Sequence, residues 1–284
     1  DLSLGTAQFS KKYGISNKNG KTSSFQIKKI FQVCKKNNIF NIDTAIKYRN
    51  VHNLIGNYNL DNFKISTKLP KINDKKSLIG EKINKKVNIC LKKMNIKKID
   101  CLLLHNPDDL IGTNGDEIYN TLCELKLKKK INKIGLSIYS FKLLKDLIKL
   151  YKFDVVQTPL NIIDKRILDS GMYDTLNSLG IEIEIRSVFL QGLLTMDYYQ
   201  VPKNLYKFKN LFLKWNKFLS ENNISSIEAC ITFVKKYKKI KRIIVGCENS
   251  RQLVEIINSF NSTLSYKIPN ISSNNEKLIN PSLW

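Results

Sequence analysis

Histidine is scarce in this chain: His52 and His105 are the only two among 284 residues. The six cysteines, Cys34, Cys90, Cys101, Cys123, Cys230 and Cys247, form no C-x-x-C pair. Together these absences exclude a structural zinc site, and no metal site is expected. Most of the cysteines lie inside apolar runs, as buried free thiols of a reducing compartment do, so a cytoplasmic location is expected. No apolar run approaches the ~18 residues of a membrane span, and no signal-peptide pattern stands out. A glycine-rich dinucleotide fingerprint is also missing. The first strand-like run ends in Leu4-Gly5-Thr6-Ala7-Gln8, which lacks the G-x-G-x-x-G spacing and argues against a Rossmann domain.

Arginine is rare too, limited to Arg49, Arg166, Arg186, Arg242 and Arg251, although Lys+Arg outnumber Asp+Glu by 48 to 24 for a formal charge of +24. Such a charge raises the question of a polyanion or an anionic membrane as partner. The excess is lysine, however, in a chain also rich in Asn and Ile, as A-rich codons would give. A nucleic-acid surface would favour the bidentate guanidinium. The lysines at 35–36, 92–93, 128–130 and 235–236 alternate with apolar positions, as on solvated helix faces. Neither a nucleic-acid nor a membrane partner is expected. Oligomeric state leaves no signal.

What the chain does have is a regular alternation of strand-like and helix-like segments. Eight strand candidates begin near Leu2, Ile39, Phe63, Ile99, Ile131, Asp154, Ile181 and Arg242. Helical periodicity follows each, as in Ile27, Ile30, Phe31 and Cys34, or Phe208, Leu211, Phe212, Trp215, Phe218 and Leu219. A further helix around Ile227 to Val234 precedes the last strand. Eight β-α units predict an α/β fold, a (β/α)8 TIM barrel forming one domain over residues 1–284, with a doubly wound open sheet as the alternative. The length suits a barrel, typically ~250 residues.

Three of the apolar runs end in titratable side chains: Asp43 and Tyr48 after the second, Lys68 at the end of the third, His105 after the fourth. In a parallel barrel, those strand ends are where chemistry is built. Taken singly, Asp43 could be a helix N-cap, Tyr48 a packing residue, Lys68 a solvated one, and His105-Asn106-Pro107 a turn. Taken together, and in register with the strands, they form a proton-donating site. His52, one turn beyond Tyr48, reads as a surface helix residue.

These motifs carry a resemblance. Asp43-Thr44-Ala45, Tyr48, Ser66-Thr67-Lys68 and Leu102-Leu103-Leu104-His105 resemble, in order, the motifs of the aldo-keto reductases, and the likeness runs from Leu4 to about Trp284. Arg49 and His52 stand where that family usually has Gly and Glu. The resemblance implies reduction of an aldehyde or ketone by NADPH, with NADH as the second possibility. Tyr48 would be the general acid. Lys68 would lower its pKa from the ordinary ~10, Asp43 would hold Lys68 charged, and His105 would bond the carbonyl oxygen.

Cofactor contacts are implied at Gly5, Thr6 and Asp43, at Ser137 and Gln157 for the nicotinamide amide, and along Arg186-Ser187-Val188-Phe189-Leu190-Gln191-Gly192. They continue at Gly246, Asn249, Gln252 and Glu255 for the adenosine end, where a helix N-terminus suits a phosphate. Ile138 replaces an Asn of the family. Arg186 replaces the aromatic that stacks under the nicotinamide; a planar guanidinium can stack, but a cation there disfavours the oxidised ring. Arg186 could instead meet an anionic substrate group, or pair with Glu182 or Glu184 nearby. The substrate is expected to be a small carbonyl compound. Lysines near Tyr13, together with Arg186, point to a sugar or sugar derivative. A cofactor-binding regulatory or sensor protein on the same barrel is the alternative function.

Overall fold

The strands of this computed structural model, which describes residues 1–72, 75–264 and 266–284, are β1 (Leu2–Gly5), β2 (Asn41–Asp43), β3 (Lys64–Leu69), β4 (Ile99–Leu104), β5 (Ile131–Ser137), β6 (Val155–Pro159), β7 (Glu182–Arg186) and β8 (Ile240–Gly246). Each pairs in parallel with its successor, and β8 pairs with β1 through Leu2↔Ile243 to Gly5↔Gly246, which closes the sheet. The result is a (β/α)8 TIM barrel, not an open sheet. Every strand begins within two residues of its expected start.

Alternation along the strands separates two cores. On β4, Leu102 and Leu104 join the large apolar core, whereas Cys101 and Leu103 join Val155 of β6 in a small separate cluster. The small cluster is an apolar patch of the barrel interior; the large one lies mainly between sheet and helices. His105 continues the inward row of Cys101 and Leu103.

Below the mouth the interior is ionic. Arg242 on β8 donates to Glu184 on β7 at 2.8 Å and to Asp100 on β4 at 3.0 Å. Lys133 pairs with Glu182 at 2.8 Å. Both glutamates are therefore committed to cations other than Arg186.

Serine side chains start three of the helices. Ser23, Ser140 and Ser225 accept from the backbone N–H of Gln26, Leu143 and Glu228. Asparagine does much of the work that glycine does elsewhere. Asn38, Asn50, Asn95 and Asn223 take left-handed φ values of 48–59°, a region Asn tolerates better than most residues. At Asn95, which ends the helix Lys76–Met94, the cap N–H reaches Leu91 O and Lys92 O. The six cysteines are free, five of them buried and Cys123 half-buried. Among the described residues, no helix is long and apolar enough to cross a membrane.

Candidate active site

The C-terminal ends of the strands surround a cavity of about 250 Å³. Asp43, Tyr48, Lys68 and His105 all line it, so residues from β2, β3 and β4 and their loops converge on one space. Lys68 is buried, 2% exposed, and Asp43 is 5% exposed. The Lys68 ammonium donates to Asp43 Oδ1 and Oδ2 at 2.6 Å each and to Thr44 O at 3.0 Å. Those three bonds use all three of its hydrogens. Asp43 thus holds Lys68 as expected.

The expected effect on Tyr48 is corrected. Burial pushes the Tyr48 phenol above its ordinary value of 10.0, the Asp43 carboxylate pushes the same way, and the opposing cation is Arg186. Lys68 is turned toward Asp43, which neutralises its charge at 2.6 Å. Tyr48 sits in the turn after β2, its carbonyl accepting from Val51 N at 3.2 Å. Burial lowers the pKa of His105 from 6.5 to about 4, helped by the Lys68 and Arg186 charges. The imidazole is neutral at pH 7, and its buried Nδ1 has no hydrogen-bond partner.

Gln157 is fully buried on β6. Its Nε2 donates across the barrel to Asp43 Oδ1 at 2.8 Å and to Glu184 Oε2 at 3.1 Å. Both amide hydrogens are spent on carboxylates, so the orientation of the amide is fixed. Its Oε1 remains a buried acceptor without a partner. Ser137, which also lines the cavity, is the register neighbour of Gln157 at the end of β5. An unpartnered acceptor beside a hydroxyl suits a ligand carrying a carboxamide, so these residues fit a nicotinamide.

Arg186 ends β7 and lines the cavity. It neither salt-bridges Glu182 nor Glu184. Its guanidinium lies 4.0 Å from the centroid of the Tyr139 ring and donates to Ile138 O at 3.2 Å and Ser187 Oγ at 3.4 Å. Ile138 is buried, its carbonyl holding Arg186.

Beyond Arg186 the chain is strained. Ser187, Leu190 and Gln191 all have φ between 46° and 59°, a cost of order 1–3 kcal/mol each that clusters at functional sites. This segment lines the mouth. Gln191 O accepts from Ile15 N at 2.9 Å, and Gln191 Nε2 donates to Tyr13 Oη at 3.3 Å. Gly192 (φ 92°) packs where any Cβ would collide with the Ser16 side chain. Ser187, Phe189, Gln191 and Gly192 line the cavity.

Gly5, Thr6, Gly246 and Gln252 also line it; Thr6 is anchored through its hydroxyl to Asp43 O at 3.0 Å. Asn249 and Glu255 lie outside the lining, and Glu255 is exposed. Asn249 is instead the N-cap of helix Ser250–Asn261, its side chain accepting from Arg251 N and Gln252 N. The Ser250 N–H is taken by Gln26 Oε1 at 3.1 Å. The helix N-terminus expected to hold a phosphate is therefore already satisfied from within.

His52 is buried, not a surface residue; its Nε2 lies 3.1 Å from Thr67 Oγ1. Of the residues after the first strand, Tyr13 lines the cavity, Phe9 is core, and Lys11 and Lys12 are exposed. Tyr139 and Glu248 line the cavity without having been singled out. Each stands two residues past an inward strand end, Ser137 and Gly246, so period-two alternation would have found them.

Comparison with known proteins bears on the family and the fold. The model of the Aldo/keto reductase family matches residues 1–271. A search of curated sequences returns no match. Among solved structures, aldo-keto reductase AKR11C1 from Bacillus halodurans in its holo form is similar at 18% identity and a TM-score of 0.73, over 93% of this chain and 88% of that one. Glycerol dehydrogenase AKR11B4 from Gluconobacter oxydans is similar at 18% identity and 0.72, over 94% and 87%. At that identity the two structures speak for the fold alone. The family match, over nearly the whole barrel, makes this chain a member of the aldo/keto reductase family and an NAD(P)H-dependent oxidoreductase of carbonyl compounds.

Proposed function

We propose that the protein reduces a small aldehyde or ketone to the alcohol with Tyr48 as the proton donor. The convergence of Tyr48, His105 and the 2.6 Å Asp43–Lys68 pair on one cavity carries this reading. A bound nicotinamide would supply the hydride to the carbonyl carbon, its carboxamide N–H meeting Gln157 Oε1 and its amide oxygen Ser137.

The protein's own residues handle the proton. Burial and the Asp43 carboxylate keep the Tyr48 phenol protonated at neutral pH, so the proton is in place before reaction. As charge develops on the substrate oxygen, that oxygen becomes far more basic than a phenolate and takes the proton. Arg186 is the cation that favours its departure. Neutral His105 donates a hydrogen bond to the same oxygen and stabilises the developing charge. Asp43 and Thr44 hold Lys68 in place. Asp43 and Glu184 hold Gln157, so the carboxamide acceptor is set by carboxylates on β2 and β7.

Tyr13, Tyr139 and Phe189 share the lining with Arg186, a mixture that suits a sugar-like carbonyl. Free thiols throughout suit a reducing, cytoplasmic setting. In the Tyr48→Phe variant, dinucleotide binding by fluorescence should be retained. Reduction across a carbonyl panel should fall about a hundred- to ten-thousand-fold. Undiminished reduction would remove Tyr48 as the acid. Tight binding with no Tyr48-dependent turnover would favour a sensor.

A further inference from the structure

We infer that Glu248 excludes a 2′-phosphate, so that the protein prefers NADH to NADPH. The inference rests on reading the cavity as a dinucleotide site with its reacting end at Tyr48 and His105. From there the cavity leaves the barrel mouth past Gly246 and Glu248 and runs outward between two helices. Ile227 belongs to helix Ser226–Lys235, and Gln252 and Ile256 to helix Ser250–Asn261. A dinucleotide seated at Tyr48 places its adenosine half in that outer wing.

The wing has the wrong chemistry for a phosphate monoester. Among the lining residues the two cations, Lys68 and Arg186, stand at the reacting end; the one charged residue of the wing is Glu248. One of its carboxylate oxygens and its backbone N–H are bonded to neighbours. Glu248 Oε2 accepts from Asn19 Nδ2 at 3.0 Å, and its backbone N–H donates to Gln252 Oε1 at 2.8 Å.

The helix N-terminus beside Glu248 already has its donors bonded. The first three N–H groups of helix Ser250–Asn261 are bonded to Gln26 and Asn249. Arg251 is exposed and outside the lining. A 2′-phosphate, carrying between one and two negative charges at neutral pH in the manner of other phosphate monoesters, would meet the Glu248 carboxylate with no cation of the lining beside it. A ribose 2′-hydroxyl can donate to that carboxylate, as it does to an acid in other dinucleotide sites. This departs from the NADPH expected from the family resemblance.

The test is fluorescence titration of the wild-type protein, Glu248→Gln and Glu248→Lys with NADH and with NADPH, alongside thermal melting to check folding. Wild type should bind NADH at least about tenfold more tightly, with the gap narrowing in high salt, as like-charge repulsion requires. Glu248→Gln should narrow the gap mainly by gaining NADPH affinity, and Glu248→Lys should reverse it. Asn19→Ser, which unties the carboxylate without removing it, should narrow the gap less. Tighter binding of NADPH by wild type, or an unchanged ratio in Glu248→Gln, would overturn the inference and leave the carbonyl-reductase reading intact. Binding of neither dinucleotide would overturn both.

Discussion

Beside Tyr48, two buried polar atoms, His105 Nδ1 and Gln157 Oε1, have no partner within the protein. Beside Glu248, the helix N–H groups and the glutamate itself are bonded by Asn249, Gln26, Gln252 and Asn19. The two ends of one cavity thus treat polar groups in opposite ways. An unmet buried group costs about 1–3 kcal/mol, so two of them at the reacting end are sustained there for what a ligand can offer. The outer end costs nothing comparable in the absence of ligand. It recognises by shape and by one fixed charge. A ligand should therefore gain hydrogen bonds mainly at the reacting end and be selected mainly at the outer one.

The largest expected effect comes from disturbing the ion pair that holds the reacting end. With Asp43 and Lys68 both buried, Lys68→Met leaves an uncompensated carboxylate and should cost about 3–5 kcal/mol of stability. Adding Asp43→Asn to that variant should recover much of the loss in urea unfolding, while turnover stays low. A single variant that loses less than about 1 kcal/mol would mean that Asp43 finds another partner, and the reacting end would be more forgiving than its burial suggests.

Next in size is the response to acid. His52 and His105 both have folded pKa values lowered from 6.5 to about 4, chiefly by burial. Between those values the unfolded chain takes up protons that the folded one refuses. Stability therefore falls as pH drops through 6.5, by up to about 3 kcal/mol per histidine near pH 4. His105→Gln and His52→Gln should each remove part of that slope in unfolding measured against pH. They separate on ligand binding. His105 lines the cavity and His52 does not, so a bound dinucleotide and carbonyl analogue should move the His105 NMR titration and leave that of His52 unmoved. No inflection of kcat/KM near pH 6.5 should trace to His105; one that vanished in His105→Gln would contradict its neutrality.

Much of this was legible in the chain. Apolar runs bounded by polar helices placed all eight strands, because burial on both faces leaves that mark in a sequence. Asp43, Lys68 and His105 were legible because each closes such a run. The bonds between strands were not. Gln157 meets Asp43 across 114 residues of chain, and only a closed sheet of this register brings them together. Likewise, Glu182 and Glu184 are near Arg186 in sequence, yet Lys133 and Arg242 reach them through the barrel interior. The direction of the Tyr48 shift depends on burial and on where the Lys68 hydrogens point, neither of which adjacency reveals. His52 was misplaced for the same reason: one polar residue on a short helix says nothing of what packs over it.

Asn249 gives the smallest effect and the finest separation. The family resemblance made it a cofactor contact; its side-chain oxygen accepts at 3.0 Å from both Arg251 N and Gln252 N, which makes it a cap. Removing the cap with Asn249→Ala should cost about 1 kcal/mol of stability, the usual price of a lost N-cap side chain. The two roles predict opposite changes in affinity. A residue that binds the dinucleotide directly would weaken NADH and NADPH together when truncated. A cap whose loss frees two N–H groups at the positive end of a helix should leave NADH nearly unchanged and improve NADPH, since the freed donors then face a phosphate. Paired titrations on wild type and Asn249→Ala would decide between them. Equal weakening of both dinucleotides would show that the outer end, too, relies on the ligand to complete it.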